Sequence, residues 1–175
     1  MLDIQTLIWL FPIVFIVHDL EEIVTVEKWI KRNRANLYEK LPRKWAERMI
    51  RQFSLTTAQF AVSVLVIFLL ISCSALMASQ YVNHAPVSDI YLFLVCQLVF
   101  FVHAFVHIGQ ALFFRSFTPG VITSIVIILP YSTALFQELF ARQMITWETI
   151  AISIPFAFLF FPFVLFAHWL GKRVA

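Results

Sequence analysis

Long apolar runs separated by short polar segments dominate the chain. These runs cover residues 4–25, 55–79, 88–114, 119–140 and 146–170. Each is long enough to cross a hydrocarbon layer of roughly 30 Å as a helix, since a helix rises about 1.5 Å per residue. We therefore predict an all-α membrane protein, a bundle of about five transmembrane helices that forms one domain over residues 1–175.

The segment between the first two runs has a different pattern. Its apolar residues recur every four positions: Leu37, Leu41, Trp45, Met49 and Phe53. Basic residues occupy the other faces: Lys40, Arg43, Lys44, Arg48 and Arg51. An apolar stripe opposed by basic residues is typical of a helix that lies in the headgroup layer. We predict an interfacial amphipathic helix over about residues 37–53, with its basic face on anionic inner-leaflet lipid; docking of another protein is the alternative.

Composition supports lipid as the main solvent. Hydrophobic residues make up 61% of the chain and charged residues 13%. A soluble domain carries roughly a quarter charged residues. The two cysteines, Cys73 and Cys96, each lie inside an apolar run, where we expect them to act as small packing residues. No signature of nucleic-acid binding is visible.

The distribution of basic residues predicts the orientation. Nine of the thirteen Lys and Arg residues lie between Lys28 and Arg51. With five spans, Arg115, Lys172 and Arg173 fall on that same side of the membrane, and Arg142 alone falls on the other. Basic residues are retained on the cytoplasmic side. We therefore expect a cytoplasmic (inner) membrane protein with its N-terminus outside and its C-terminus in the cytoplasm, its first run kept as a membrane helix because it lacks a signal-peptide pattern.

The first apolar run carries four ionisable residues within five positions: His18, Asp19, Glu21 and Glu22. Such groups cost several kcal/mol inside a membrane, so they rarely occur there without a partner or a purpose. On a helix, Glu22 lies about 40° from His18 and Glu21 about 60° from it on the other side. One face thus presents an imidazole flanked by two carboxylates, whereas Asp19 points about 100° away, to the helix exterior or to a hydrogen-bond partner.

The third run carries His103 and His107 four residues apart, a spacing at which two imidazoles can bind one metal ion. Measured from Lys28, Glu22 and His18 lie about 9 and 15 Å along the first helix. Measured from Arg115, His107 and His103 lie about 12 and 18 Å along the third. The predicted orientation therefore brings both pairs to the same depth, in the cytoplasmic half of the bundle.

Further polar residues are predicted at that end of the bundle: Gln110, Thr123, Ser124 and His168. We expect them to support the metal ligands or to orient a substrate. A structural hydrogen-bond network is the alternative for the whole group, and His168, close to Lys172, fits an interfacial residue as well as a ligand. His84 is expected to be a solvated loop residue.

The leading functional hypothesis is a divalent-metal site that holds one or two ions, with zinc as the expected metal and iron as the alternative, and that serves hydrolysis at the inner leaflet. His18, His103, His107 and Glu22 would be the metal ligands, and Glu21 the general base. The sequence leaves open whether the protein is an enzyme, whether its substrate is a small molecule or a lipid, and whether it forms a homo-oligomer.

Other classes of function use the same residues. A small-molecule or proton-coupled transporter could relay protons along the imidazole and carboxylate groups, although five helices without an internal repeat fit common transporters poorly. Five ligand-type groups could also hold two metal ions, as carboxylate-bridged sites do, so a di-iron redox centre is a further alternative, although the His set is small for one. Bis-His haem ligation is also open, with carboxylates as unusual neighbours.

These motifs together resemble the HXXEE family of small bacterial membrane proteins. The resemblance rests on Trp9-Leu-Phe-Pro-Ile, His18-Asp-Leu-Glu21-Glu22, His103-Ala-Phe-Val-His107-Ile-Gly-Gln110 and the stretch from Arg115 to Pro130. They extend over about three quarters of the chain. The family is named for its motif and has no assigned activity, so the resemblance supports the choice of site residues and implies no reaction.

Overall fold

The chain folds into helices, as its hydropathy pattern predicts. A computed structural model describes residues 2–53 and 55–174. Helices account for 85% of the structure, and the described residues form no strand. Six helices occur in these ranges: α1 (Ile4–Lys40), α2 (Arg43–Phe53), α3 (Thr57–Val82), α4 (Tyr91–Phe114), α5 (Val121–Ala141) and α6 (Trp147–Val174).

Within the described part of the chain, α3, α4, α5 and α6 are the four helices long and apolar enough to cross a membrane. They correspond to the last four predicted spans, with ends that differ by a few residues. α1 is not among the four. The predicted total of five spans therefore depends on α1, whose apolar run is interrupted by the ionisable residues from His18 to Glu22.

The boundary predicted for the interfacial helix was wrong. Residues 37–40 belong to α1, which continues well past the predicted end of its span at Thr25. The backbone then turns extended at Leu41 (φ −119°, ψ 146°) and α2 begins at Arg43. The break has a simple cause, because Pro42 disfavours helical geometry in the residue before it.

α2 also divides its apolar residues between two environments. Ala46 is fully buried, and Met49 packs against the hydrophobic core together with Leu41. Trp45 is exposed. The side chain of Phe53, the last member of the predicted stripe, lies outside the described residues. Part of the predicted lipid-facing stripe is therefore used for packing within the protein.

α3 lies between α1 and α6, whereas α4 packs against α6 and mainly against the first half of α5. Aromatic side chains join α1 to α4: the ring of Phe11 meets that of Phe93 edge-on at 5.4 Å, and Phe15 lies 5.8 Å from Phe100. Edge-to-face and tilted ring pairs of this kind are favourable and fill volume. They hold the two helices that carry the predicted ligands in register.

α1 extends along the whole bundle. Near its start, Gln5 donates a hydrogen bond of 3.2 Å to Asn83 Oδ1 in the loop after α3. Near the other end, Trp29 Nε1 donates to the carbonyl of Phe117 at 2.8 Å, and Lys40 Nζ donates to that of Phe114 at 2.8 Å. We call this second end, rich in Lys and Arg, the basic end.

At the basic end, Glu27 ties α1 to the first turn of α3. Its carboxylate accepts from Lys31 Nζ at 2.6 Å, and from Thr57 Oγ1 and N at 2.9 and 3.1 Å. These hydrogen bonds, that from Lys31 first, lower the pKa of Glu27 to about 2. The carboxylate is therefore ionised at neutral pH and satisfies an amide at the start of α3 that has no partner within the helix.

Candidate metal centre

The four predicted ligands meet at one point between α1 and α4. One donor atom from each of His18, Glu22, His103 and His107 lies within 4.8 Å of the others. Glu22 Oε1 is 2.9 Å from His107 Nε2 and 3.9 Å from His103 Nε2. The two Nε2 atoms of the histidines on α4 are 2.7 Å apart. The two ligand pairs therefore lie at the same depth in the bundle, as the sequence predicts.

This donor set suits a transition-metal ion. Zinc binds imidazole nitrogen and carboxylate oxygen at about 2.0–2.2 Å, which places tetrahedral ligand atoms roughly 3.3 Å apart. The distances in the cluster bracket that value. In addition, His18 Nε2 is buried and has no hydrogen-bond partner among the described residues. Buried polar atoms nearly always have a partner, and coordination of a metal ion would supply one for this nitrogen.

Glu21 lies outside this group of four and contacts α5 instead. Its carboxylate accepts from Thr123 Oγ1 at 2.6 Å, Thr123 N at 2.9 Å and Ile122 N at 3.4 Å. Thr123 Oγ1 is also 2.8 Å from His18 Nδ1. A chain of hydrogen bonds thus runs from Glu21 through Thr123 to the imidazole. The Glu21 carboxylate also lies at the start of α5, where the helix amides have no partner within the helix and attract negative charge.

A tight turn brings α5 against the cluster. Arg115 ends α4 in the left-handed region (φ 50°), and Gly120 begins α5 in the same region (φ 79°). A Cβ atom on Gly120 would lie 2.7 Å from His107 Cε1 and 2.8 Å from His18 Cε1. Gly120 is therefore required twice, for its backbone angle and for the close approach of two imidazole rings.

Directly after Thr123, α5 contains a short π-helical segment, Ser124–Ile128. It precedes Pro130, which has no amide hydrogen to donate. Ser124 is fully buried, and its hydroxyl has no partner within the described residues. Single π-helical turns within α-helices occur frequently at functional sites.

The remaining predicted residues are not members of the four-donor group. His168 is buried, with Nδ1 2.9 Å from Gln52 Nε2 and its ring against Phe60. Gln110 is half-buried on α4. His84 is an exposed loop residue. These positions favour a packing role for His168, and the predicted roles of Gln110, Ser124 and His168 stay predictions.

Two residues at the site were missed or left undecided by sequence reasoning. Asp19 is buried and its Oδ2 has no partner in the described structure, so it faces the protein interior rather than the helix exterior. Gly120 was not singled out. The sequence feature that could have identified Gly120 is the Pro119-Gly120 pair. This dipeptide is typical of turns, and it lies in a short loop at the same end of the bundle as both ligand pairs.

Comparison with known proteins gives a family for the chain. The family model described as "Protein of unknown function with HXXEE motif" matches residues 9–135, which include all four donors, Glu21, Gly120 and Thr123. No curated protein and no solved structure matches the chain. The match agrees with the motifs read from the sequence, and the chain belongs to the HXXEE family.

Proposed function

We propose that the protein binds a divalent metal ion through His18, Glu22, His103 and His107, and that the bound ion serves hydrolytic chemistry in the cytoplasmic half of a membrane bundle. The observation that carries this proposal is the convergence of four donor atoms within 4.8 Å from two separate helices. Because all four donors meet at a single point, the geometry supports one ion rather than two.

Zinc is the ion we propose, since three imidazoles and one carboxylate are ligands it commonly takes; iron accepts similar donors. A bound zinc ion would bring the pKa of a water molecule toward 7 and polarise a carbonyl group. The protein's own contribution is to hold four donors together where α1 and α4 meet, largely out of contact with solvent.

The hydrogen bonds around His18 define its role in this proposal. The Thr123 hydroxyl donates to the Glu21 carboxylate, and in this arrangement its oxygen accepts a hydrogen bond from His18 Nδ1–H. Nε2 then carries a free lone pair directed away from Thr123. A carboxylate that fixes the tautomer of a histidine ligand through its other nitrogen is common around metal ions. We therefore propose that Glu21 positions His18, whereas its predicted role as general base remains a prediction.

We further propose that α1 is a fifth membrane span, that the N-terminus is outside, and that the basic end faces the cytoplasm across an inner membrane. Support comes from the contacts of α1 at both ends of the bundle, with Asn83 and with Phe117. Lys172 also lies at the basic end, where its Nζ donates to the carbonyl of Arg51. Cations gathered at one end fit the cytoplasmic side and anionic lipid against α2.

Metal content tests the proposal directly. Protein purified in detergent without chelators should contain about one zinc or iron per chain by elemental analysis, and His18→Ala and His107→Ala should each lose most of it. The matched control is His84→Asn, which removes an exposed imidazole and keeps a side chain that tolerates the positive φ of 53° at that position. Metal at background level in the wild-type protein would refute the proposal. A Soret absorption band would favour haem instead.

One observation favours proton-coupled transport as a second candidate. Asp19 is a buried acid with an unpartnered oxygen in the described structure, one residue from a cluster ligand, and such groups mark proton pathways in membrane proteins. Proteoliposomes should then show proton uptake that is lost in Asp19→Asn. Absence of proton uptake by the wild-type protein, or equal uptake by wild type and Asp19→Asn, would refute this role and leave only the metal-site proposal.

A further inference from the structure

The four donors differ sharply in exposure. His18 is fully buried, and the side chains of His107 and Glu22 are 5% and 13% exposed. The side chain of His103 is 42% exposed. Among these four described residues, His103 therefore forms the open edge of the cluster. A reactant would reach the cluster most directly past that side chain.

The open edge lies at the depth of the hydrocarbon layer. His103 is in the middle of α4, about 17 Å along the axis from Phe114 and about 18 Å from Tyr91. The neighbouring side chains on its exposed flank are apolar: Val102 is 57% exposed and Val106 is 48% exposed. One turn further along this flank is Gly109, beside which the space is open. Acyl chains, rather than water, would contact this flank.

The basic end of the cluster, by contrast, is closed. Gly120 lies against the rings of His18 and His107. The turn before it contains Thr118, which is buried, and Phe117, whose carbonyl accepts the hydrogen bond from Trp29 on α1. The turn and the extension of α1 therefore cover the direct path from the cytoplasmic side.

We propose that the site opens sideways into the inner half of the bilayer and that its substrate is a membrane-dissolved lipid, which approaches along the Val102, Val106 and Gly109 flank of α4. This inference rests on the proposed metal site and names the class of substrate that the site accepts. A lipid fits because a single flexible chain can lie along this flank and present a polar group to His103. A water-soluble metabolite would have to leave water to reach the same edge, at a cost that grows with its polarity.

The test uses full-length protein loaded with cobalt in phosphatidylcholine nanodiscs. Cobalt substitutes for zinc and gives visible absorption bands that change when a ligand binds. The probes are dodecanehydroxamic acid, which partitions into the bilayer, and acetohydroxamic acid, which stays in water. We expect the long-chain probe to change the bands and the short one to leave them unchanged at equal hydroxamate concentration, measured in the phase that each probe occupies.

Two tryptophan variants provide the internal comparison. Val106→Trp places a bulky ring on the proposed path, and we expect it to weaken binding of the long-chain probe at least tenfold without loss of cobalt. Leu112→Trp is the control, since Leu112 is exposed about 180° around α4 from His103 and should have no effect. Both sites face outward, so either ring can be accommodated.

Each contrary result has a distinct meaning. Equal band changes with both probes, no change with either, or an unaltered affinity in Val106→Trp would each overturn the lateral route. A change of oligomeric mass in Val106→Trp would overturn it as well, because the flank would then be covered by a second copy of the chain. Failure of the metal site itself is seen separately, as absence of cobalt bands before any probe is added.

Discussion

At the scale of single residues, the cluster shows how ionisable groups are tolerated within an apolar bundle. A charged side chain at the centre of a membrane helix costs about 2.5–3.5 kcal/mol by insertion measurements. Here Glu22 lies 2.9 Å from His107, and Glu21 receives two donors from Thr123. The partners reduce this cost, and His18 Nε2 is left without one among the described residues.

Thr123 should therefore control metal affinity without binding the metal. In Thr123→Val the bridge between Glu21 and His18 is lost, so the imidazole is no longer held in one tautomer. We expect affinity for zinc to fall about 10–100-fold, the usual effect of removing a partner of a metal-bound histidine. Competition against a chromophoric chelator measures it.

Two variants make this result specific. Thr123→Ser retains the hydroxyl that bridges Glu21 and His18. We therefore expect its affinity for zinc to stay within about threefold of wild type, a change of well under the roughly 1.4 kcal/mol that corresponds to tenfold. Thr133→Val removes an exposed hydroxyl of the same helix whose hydrogen bond, among the described residues, is to Leu129 O one turn away at 2.7 Å, and this variant should bind zinc normally. Wild-type affinity in Thr123→Val would contradict the positioning role.

At the scale of elements, the start of α5 completes a site whose ligands all lie on other helices. The left-handed turn at Gly120 directs the helix toward α1, and Thr123 then lies one turn into it, within reach of both Glu21 and His18. The π-helical segment that follows lets the helix continue toward Pro130. α5 is therefore the element that fixes the geometry of the cluster.

Gly120→Ala should disturb both backbone and site. The left-handed conformation costs a residue with a Cβ roughly 1–2 kcal/mol, and the new methyl group would collide with two imidazole rings. We expect a lower unfolding temperature in detergent and loss of most bound metal.

Gly109→Ala is the matched control for this substitution. Gly109 is inside α4 with open space around it, so alanine should be neutral or should stabilise by up to about 1 kcal/mol through helix propensity. Metal content should stay at the wild-type level. If both glycine variants behaved alike, the proposed contact between Gly120 and the imidazoles would be wrong.

At the scale of the whole molecule, the arrangement of the site depends on topology. α1 and α4 bring their ligands to one depth because they run in the same direction, which places the segments after both helices at the basic end. The contacts of Trp29 and Lys40 with the turn after α4 agree with this arrangement. The distribution of cations then predicts which face of the membrane this end meets.

Cysteine accessibility checks the orientation. In a background without Cys73 and Cys96, Val87→Cys in the loop after α3 should react with a membrane-impermeant maleimide in intact cells. Lys44→Cys on α2 should react only after the membrane is opened. Both original side chains are exposed, so reagent access is not limited by packing. Labelling of Lys44→Cys in intact cells would reverse the proposed orientation.

The sequence alone determined the helical architecture, the last four candidate spans and the four donors, because lipid solvation and helix periodicity are local properties that apolar runs and four-residue spacings express directly. It also brought His18 and Glu22 to the depth of His103 and His107 through the charge pattern. The sequence also predicted Thr123 beside the ligands, but only the tertiary structure decided that Thr123 links Glu21 to His18, that Asp19 is buried and that His103 is the open edge. Those features depend on how helices distant in sequence rotate and approach one another, and no local pattern in the chain specifies that geometry.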